Sequence, residues 1–166
     1  MNILAIDPGT TKSAWVLYDS ETKTIGDHNI DDNHFIAAAI IPAYCMAAEQ
    51  GVIEMMQCMG MAVGQSVLET CRWIGRFEET FLREKTHVSF IYRSQEKMHL
   101  CQSMRAKDGN IRQALIDKLG PPGTKKAPGP TYGISKDVWA ALAVAVTYAE
   151  TRDALGIGST GVEEDA

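Results

Sequence analysis

Four apolar residues in a row, Ile3-Leu4-Ala5-Ile6, end on a carboxylate, Asp7, and the pair Pro8-Gly9 then turns the chain. No other feature of the sequence constrains the fold as much. The run is too short for a helix and is flanked by turn residues, so it reads as a strand buried on both faces. Such a strand lies inside a sheet with layers packed above and below it. The next run, Ala14-Trp15-Val16-Leu17-Tyr18, is again strand-like, so the turn brings the chain back alongside. A rigid strand end can hold an acid in fixed geometry. Taken alone, Asp7 is equally explained as shaping an Asp-Pro-Gly turn.

The same pattern recurs at Gln50-Gly51-Val52-Ile53-Glu54-Met55, where a short apolar strand again ends on a carboxylate. Between the two, residues 23–30 read as a third, less regular strand. His34 to Met46 reads as a helix that Pro42 interrupts or ends. Met61 to Lys85 is the longest helical candidate, with Val63, Val67, Cys71, Ile74, Phe77 and Phe81 on one apolar face. Residues 88–92 form another strand, and residues 95–100 and 108–119 short helices. Residues 120–133 hold four of the six prolines and read as a mobile loop. The last helix spans Ser135 to Thr151, with Ser135 as its N-cap and Asp137 in its opening turn. The expected organisation is one domain over residues 1–155 and a flexible tail over 156–166.

A chain of 166 residues with 45% apolar content suits a single globular domain. No apolar run is long enough to cross a bilayer, and the start lacks the basic region of a secretory leader. Cys45, Cys58, Cys71 and Cys101 show no CxxC spacing and read as buried thiols of a reducing, cytoplasmic compartment. The net charge of −5 hides an asymmetry. Residues 1–71 carry two Lys and nine acids, whereas residues 72–136 carry thirteen Lys/Arg and six acids. A basic middle between acidic ends suits a polyanion; ordinary solvated helix faces would give the same count.

Three acids share a structural position. Asp7 and Glu54 end strands, and Asp137 begins the last helix. Strand ends and a helix N-terminus can converge in a mixed sheet flanked by helices. Carboxylates brought together repel one another unless a cation neutralises them. Oxygen-only ligation suits Mg²⁺, with Mn²⁺ as a substitute. Such a site can bind a phosphodiester and activate water. Singly, each acid also has an ordinary explanation, Glu54 as a surface residue and Asp137 as a favourable charge at a helix start.

Ile3-Leu4-Ala5-Ile6-Asp7-Pro8-Gly9, Val52-Ile53-Glu54 and the run from Asp137 to Ala145 together resemble the RuvC-type Holliday-junction resolvases of the ribonuclease H-like nucleases. The resemblance implies an α/β fold, a ribonuclease H-like five-stranded mixed sheet flanked by helices. It implies Mg²⁺-dependent hydrolysis of branched DNA such as a four-way junction. It also implies a homodimer, because matched cuts on a near two-fold substrate need two sites. Asp7 and Glu54 match family metal ligands, and Lys107 best matches a lysine that assists catalysis. The family's final helix has two ligand positions three residues apart, the second an acid; here they are Asp137 and Ala140. Compact, divergent members are often phage-encoded, which suggests the cytoplasm of a bacterial cell or phage-infected host.

Arg72, Arg76, Arg83, Arg105, Lys107, Arg112, Lys118, Lys125 and Lys126 are the candidate phosphate contacts. Trp73, Tyr132 and Trp139 read as packing residues, and Met55, Met56, Met59 and Met61 as core padding or a dimer face. Two other readings stay open. The chain could bind branched DNA without cutting it, through an incomplete metal site. Alternatively, Asp7-Pro8-Gly9-Thr10-Thr11 resembles the first phosphate loop of actin-like and sugar-kinase ATPases, which need a second domain and a second glycine-rich loop.

Overall fold

A computed structural model describes residues 1–152 except Met59 and Met61. The proposed boundary at residue 155, the tail, and the roles suggested for Met59 and Met61 lie outside the described residues. Strands β1 (Asn2–Asp7), β2 (Lys12–Asp19) and β3 (Thr24–Asp32) form an antiparallel meander. Strands β4 (Gln50–Met55) and β5 (His87–Tyr92) then add in parallel on the other side of β1. The sheet order is β3-β2-β1-β4-β5, so β1 is the central strand.

That position explains the unbroken apolar run. Ile3 and Ala5 face one side and Leu4 and Ile6 the other, all with no exposed surface. Over Ile3 and Ala5 pack α4 (Arg93–Cys101), α5 (Asp108–Leu119) and α6 (Val138–Thr151). α6 is buried almost all round, which accounts for its near-continuous run WAALAVAV. Over Leu4 and Ile6 pack α1 (Asn33–Phe35), α2 (Ile41–Cys45) and α3 (Gln65–Arg83), with Ile36, Ile41, Ile74, Phe77 and Phe81 at the contact. Gly51 makes room there: a Cβ on it would stand 2.8 Å from the Phe81 ring.

Several elements differ in detail from the sequence expectations. Pro42 interrupts its helix without ending it. Residues Ile36–Ile40 widen into a π-helical turn, with Ile41 N–H donating to Ile36 O, and α2 continues beyond it. The widened turn absorbs the proline's missing donor and its ring. The long helix starts at Gln65 rather than Met61. α6 starts at Val138 with Asp137 in the capping position, so Ser135 is not its cap; Ser135 O instead accepts from Val138 N in the preceding turn. Residues 120–133 contain a two-stranded hairpin, β6 (Gly123–Thr124) and β7 (Ala127–Pro128), with Lys125 and Lys126 at its tip. Among the described residues no helix is long and apolar enough to cross a membrane.

Candidate active site

The register of two parallel strands decides where the first two acids go. β1 and β4 pair in step, from Ile3 with Gln50 to Ile6 with Ile53. One residue further on, the strands carry Asp7 and Glu54. Side chains alternate along a strand, so both acids share the face of Ala5 and Val52, the face that α6 covers. Asp137 enters from the start of α6, where its side chain makes no capping bond and is left for other partners. Asp7, Glu54 and Asp137 line one cavity of about 300 Å³.

Burial and the crowding of acids together set the electrostatics of this cavity. Asp7 is pushed up to about 9, first by burial, then by the charge of Glu54 and a hydrogen bond with it, and further by Glu96 and Asp137. Burial also raises Glu54, opposed by its bond to Asp7 and by the Arg93 guanidinium. The pair therefore retains a proton near neutral pH when nothing positive lies between its members. Among the described residues, no three acidic, histidine or cysteine side chains stand close enough to cage an ion outright. The donor set is nevertheless all oxygen, and its carboxylates interact closely enough to raise Asp7. That chemistry fits a hard divalent cation that keeps several of its waters.

The turn after Asp7 is held by a buried polar clamp. Ser13 Oγ accepts from Gly9 N at 3.1 Å and donates to Asn33 Oδ1 at 2.6 Å. Asn33 Nδ2 donates to Gly9 O at 2.9 Å, and Asn33 N donates to Thr11 O at 2.9 Å. Asn33 has no exposed surface, so the start of α1 is locked to the exit of β1.

The same cavity is lined by Arg93, Asp108, Ile111, Lys136, Trp139 and Ala140. Arg93, Asp108 and Lys136 were not singled out from the sequence. Lys136 adopts φ 49, an unfavourable left-handed conformation for a side-chain-bearing residue. Arg93 ion-pairs with Glu96, a fully buried acid that burial and the charge of Glu54 push up to about 8 against the pull of Arg93. Lys107 is not part of the lining; it stands exposed at the start of α5, one residue before Asp108, with its N–H donating to Asn110 Oδ1.

The other candidate cations are spread over the surface. Arg112 lies over the Trp139 ring, 5.2 Å from its centroid, and so borders the acid cavity. Lys118 pairs with Glu150 at 2.9 Å, and Arg105, Lys125 and Lys126 are exposed. Arg72, Arg76 and Arg83 belong to α3, in the layer across the sheet. They line a groove of about 810 Å³ between α3 and the segment from His34 to Pro42. Arg72 and Arg76 also border a cavity of about 330 Å³ that reaches Thr10 and Thr11, just past Asp7. Trp73 and Trp139 are buried, Tyr132 is exposed, and Met55 and Met56 are half-buried against the core.

No family model and no curated protein matches the chain. Solved structures do. The Thermus thermophilus RuvC structure superposes with a TM-score of 0.70 at 17% identity, covering 94% of this chain and 97% of that one. T. thermophilus RuvC in complex with a Holliday junction substrate gives 0.66 at 16%, covering 93% and 96%. The yeast mitochondrial Holliday junction resolvase Ydc2 gives 0.56 at 8%, covering 93% and 82%. At these identities the likeness is one of fold, and the chain has the ribonuclease H-like fold of the RuvC resolvases: a mixed five-stranded sheet with helices on both faces.

Proposed function

We propose that this protein is a metal-dependent, structure-specific endodeoxyribonuclease that cuts phosphodiesters at Holliday junctions or other branched DNA. One observation carries the reading: acids from two adjacent strand ends and a helix start share one cavity, in a fold that is otherwise that of junction resolvases. Asp7, Glu54 and Asp137 would hold Mg²⁺ or Mn²⁺. A bound ion would supply a nucleophilic water and charge neutralisation at the scissile phosphate. The chain's own cations, Arg93 and Lys136 in the cavity and Lys107 at the exposed start of α5, would bind the phosphate and stabilise charge on the leaving oxygen. The clamp from Asn33 and Ser13 keeps Asp7 in place while this happens.

A homodimer would set two such sites for paired cuts. Leu68, Arg72, Gly75, Glu79 and Leu82 run along the exposed side of α3. Turned end for end about Gly75, this stripe meets itself with Leu68 against Leu82 and Arg72 against Glu79. Gly75 has open space around it for the closest approach of two helices. Such self-complementarity is what an isologous interface requires. In this arrangement Arg72 serves the interface, leaving Arg76 and Arg83 to face DNA.

The second reading, a branched-DNA-binding protein without catalysis, is favoured by Ala140, which puts a methyl group on the cavity wall. A nicking assay on a synthetic four-way junction with Mg²⁺ separates the two. Cutting that is abolished in Asp7→Asn while junction binding persists supports the nuclease. Binding without cutting under Mg²⁺ or Mn²⁺ supports the binder.

A further inference from the structure

We propose that Arg93 is the residue that grips the DNA phosphate at the acid cavity, and that Asp108 occupies its free arm until DNA arrives. The proposal rests on the nuclease reading and adds a named phosphate contact to it. Arg93 is the first residue of α4, directly after the end of β5. With Glu54, it lines both the acid cavity and a neighbouring cavity of about 360 Å³ that contains Lys97 and Met104. The guanidinium therefore stands on the wall between two openings, beside the acids.

Its two ion pairs are unlike. Nη1 donates to Glu96 Oε2 at 2.6 Å, and the Glu96 side chain is fully buried with Oε1 making no hydrogen bond. A buried pair of this kind is commonly no more stabilising than an apolar pair of the same size. Its structural effect is to fix the direction of the guanidinium. Nη2 is paired with Asp108 Oδ1, whose side chain is 92% exposed. An exposed ion pair contributes little to stability, so its carboxylate can be exchanged for another anion. Asp108 itself lines the acid cavity, so an anion already sits on Arg93 where a phosphodiester oxygen would arrive. A planar guanidinium held on one side and weakly occupied on the other suits phosphate.

The test compares the full-length wild type, Asp108→Asn, Arg93→Lys and the paired variant Arg93→Met with Glu96→Leu. Each is assayed for four-way junction binding in EDTA, for cutting in Mg²⁺ and for melting temperature. Changing both members of the buried pair leaves no lone charge, so the paired variant is expected to melt at or above the wild type. Its junction binding is expected to weaken about tenfold or more. Asp108→Asn, freed of the competing carboxylate, is expected to bind about threefold tighter. Arg93→Lys keeps the charge and loses the fork, so it should bind less tightly at an unchanged melting temperature, and it serves if the paired variant fails to fold. Wild-type binding by the paired variant or by Arg93→Lys overturns the role of Arg93. Unchanged affinity in Asp108→Asn overturns the role of Asp108. A wild type that neither binds nor cuts the junction overturns the nuclease reading itself, and this proposal with it.

Discussion

Asp7 and Glu54 leave neighbouring parallel strands one residue beyond the Ile6–Ile53 pair, on the same face of the sheet, and line one cavity in which each acts on the other's protonation. Two carboxylates in that relation are stable together only when a proton or a cation lies between them. The strand register thus creates a demand for positive charge before any ligand is considered.

The demand has a pH signature. Asp7 titrates at about 9 in the folded protein, against about 3.9 in an unfolded chain. Between those values the folded state binds more protons than the unfolded state, so stability falls as pH rises through the window. Glu96, at about 8, acts in the same direction. The melting temperature of the metal-free protein is expected to fall from about pH 5 to about pH 9. Asp7→Asn should flatten that slope and melt higher than the wild type at alkaline pH. Mg²⁺ should raise the wild type more than the variant. An identical slope in wild type and Asp7→Asn, measured by calorimetry in EDTA, would remove the crowding argument.

Asn33 tests the support of the site rather than its chemistry. Replacing it by Ala strips partners from Ser13 Oγ and Gly9 O in a buried place. The expected cost is about 1–3 kcal/mol in chemical denaturation. Asn33→Asp keeps the size and an acceptor for Ser13 but cannot donate to Gly9 O when ionised. Both variants should cut more slowly at temperatures where they remain folded, because the turn after Asp7 is no longer held. Wild-type cutting in a measurably destabilised variant would confine Asn33 to folding.

The sequence was legible where burial left a period. β1 and β4 could be read because apolar residues run to a carboxylate and stop at a turn. α3 could be read because Ile74, Phe77 and Phe81 recur at helical spacing. What stayed hidden has a common physical cause: polar residues buried by tertiary contact leave no periodic trace. The short helix expected over residues 95–100 has nothing in its sequence to single out Glu96, yet Glu96 is fully buried because α4 packs against α5 and α6. Asn33 lies just outside the helix expected from His34 and carries no mark in the sequence; its clamp on Gly9 is visible only once β1 and α1 are side by side. The basic middle of the chain was evident from counts, but counts cannot assign a face. Arg72, Arg76 and Arg83 lie in the layer across the sheet from α6, while Arg93 and Lys136 line the cavity of the acids.

Lys136 offers a separation of stability from function. Its left-handed backbone costs roughly 1–2 kcal/mol that glycine would not incur. Glycine loses about 0.5–1 kcal/mol of that gain through its freer unfolded chain. Lys136→Gly is therefore expected to melt within a few degrees of the wild type. If the lysine serves the phosphate, cutting of the junction should fall about tenfold, as for the loss of one charge-assisted contact. Undiminished cutting would assign the strained residue to the turn alone.

The proposed dimer would use the stripe along α3, and charge exchange tests it without relying on hydrophobic deletion. Arg72 and Glu79 have exposed side chains with only loose contacts inside the chain, at 3.8 Å to Glu69 and 3.9 Å to Arg83. In a two-fold pair each Arg72 would face Glu79 of the other copy. Arg72→Glu alone places like charges opposite and should shift sedimentation toward monomer, as should Glu79→Arg alone. The double exchange restores opposite charges across the two-fold and should restore the dimer. Paired cutting of both junction strands should follow the dimer, whereas single nicks should survive in a folded monomer. Wild-type sedimentation in all three variants would move the interface off α3. Loss of the dimer in the double exchange as well would show that Arg72 and Glu79 do not meet.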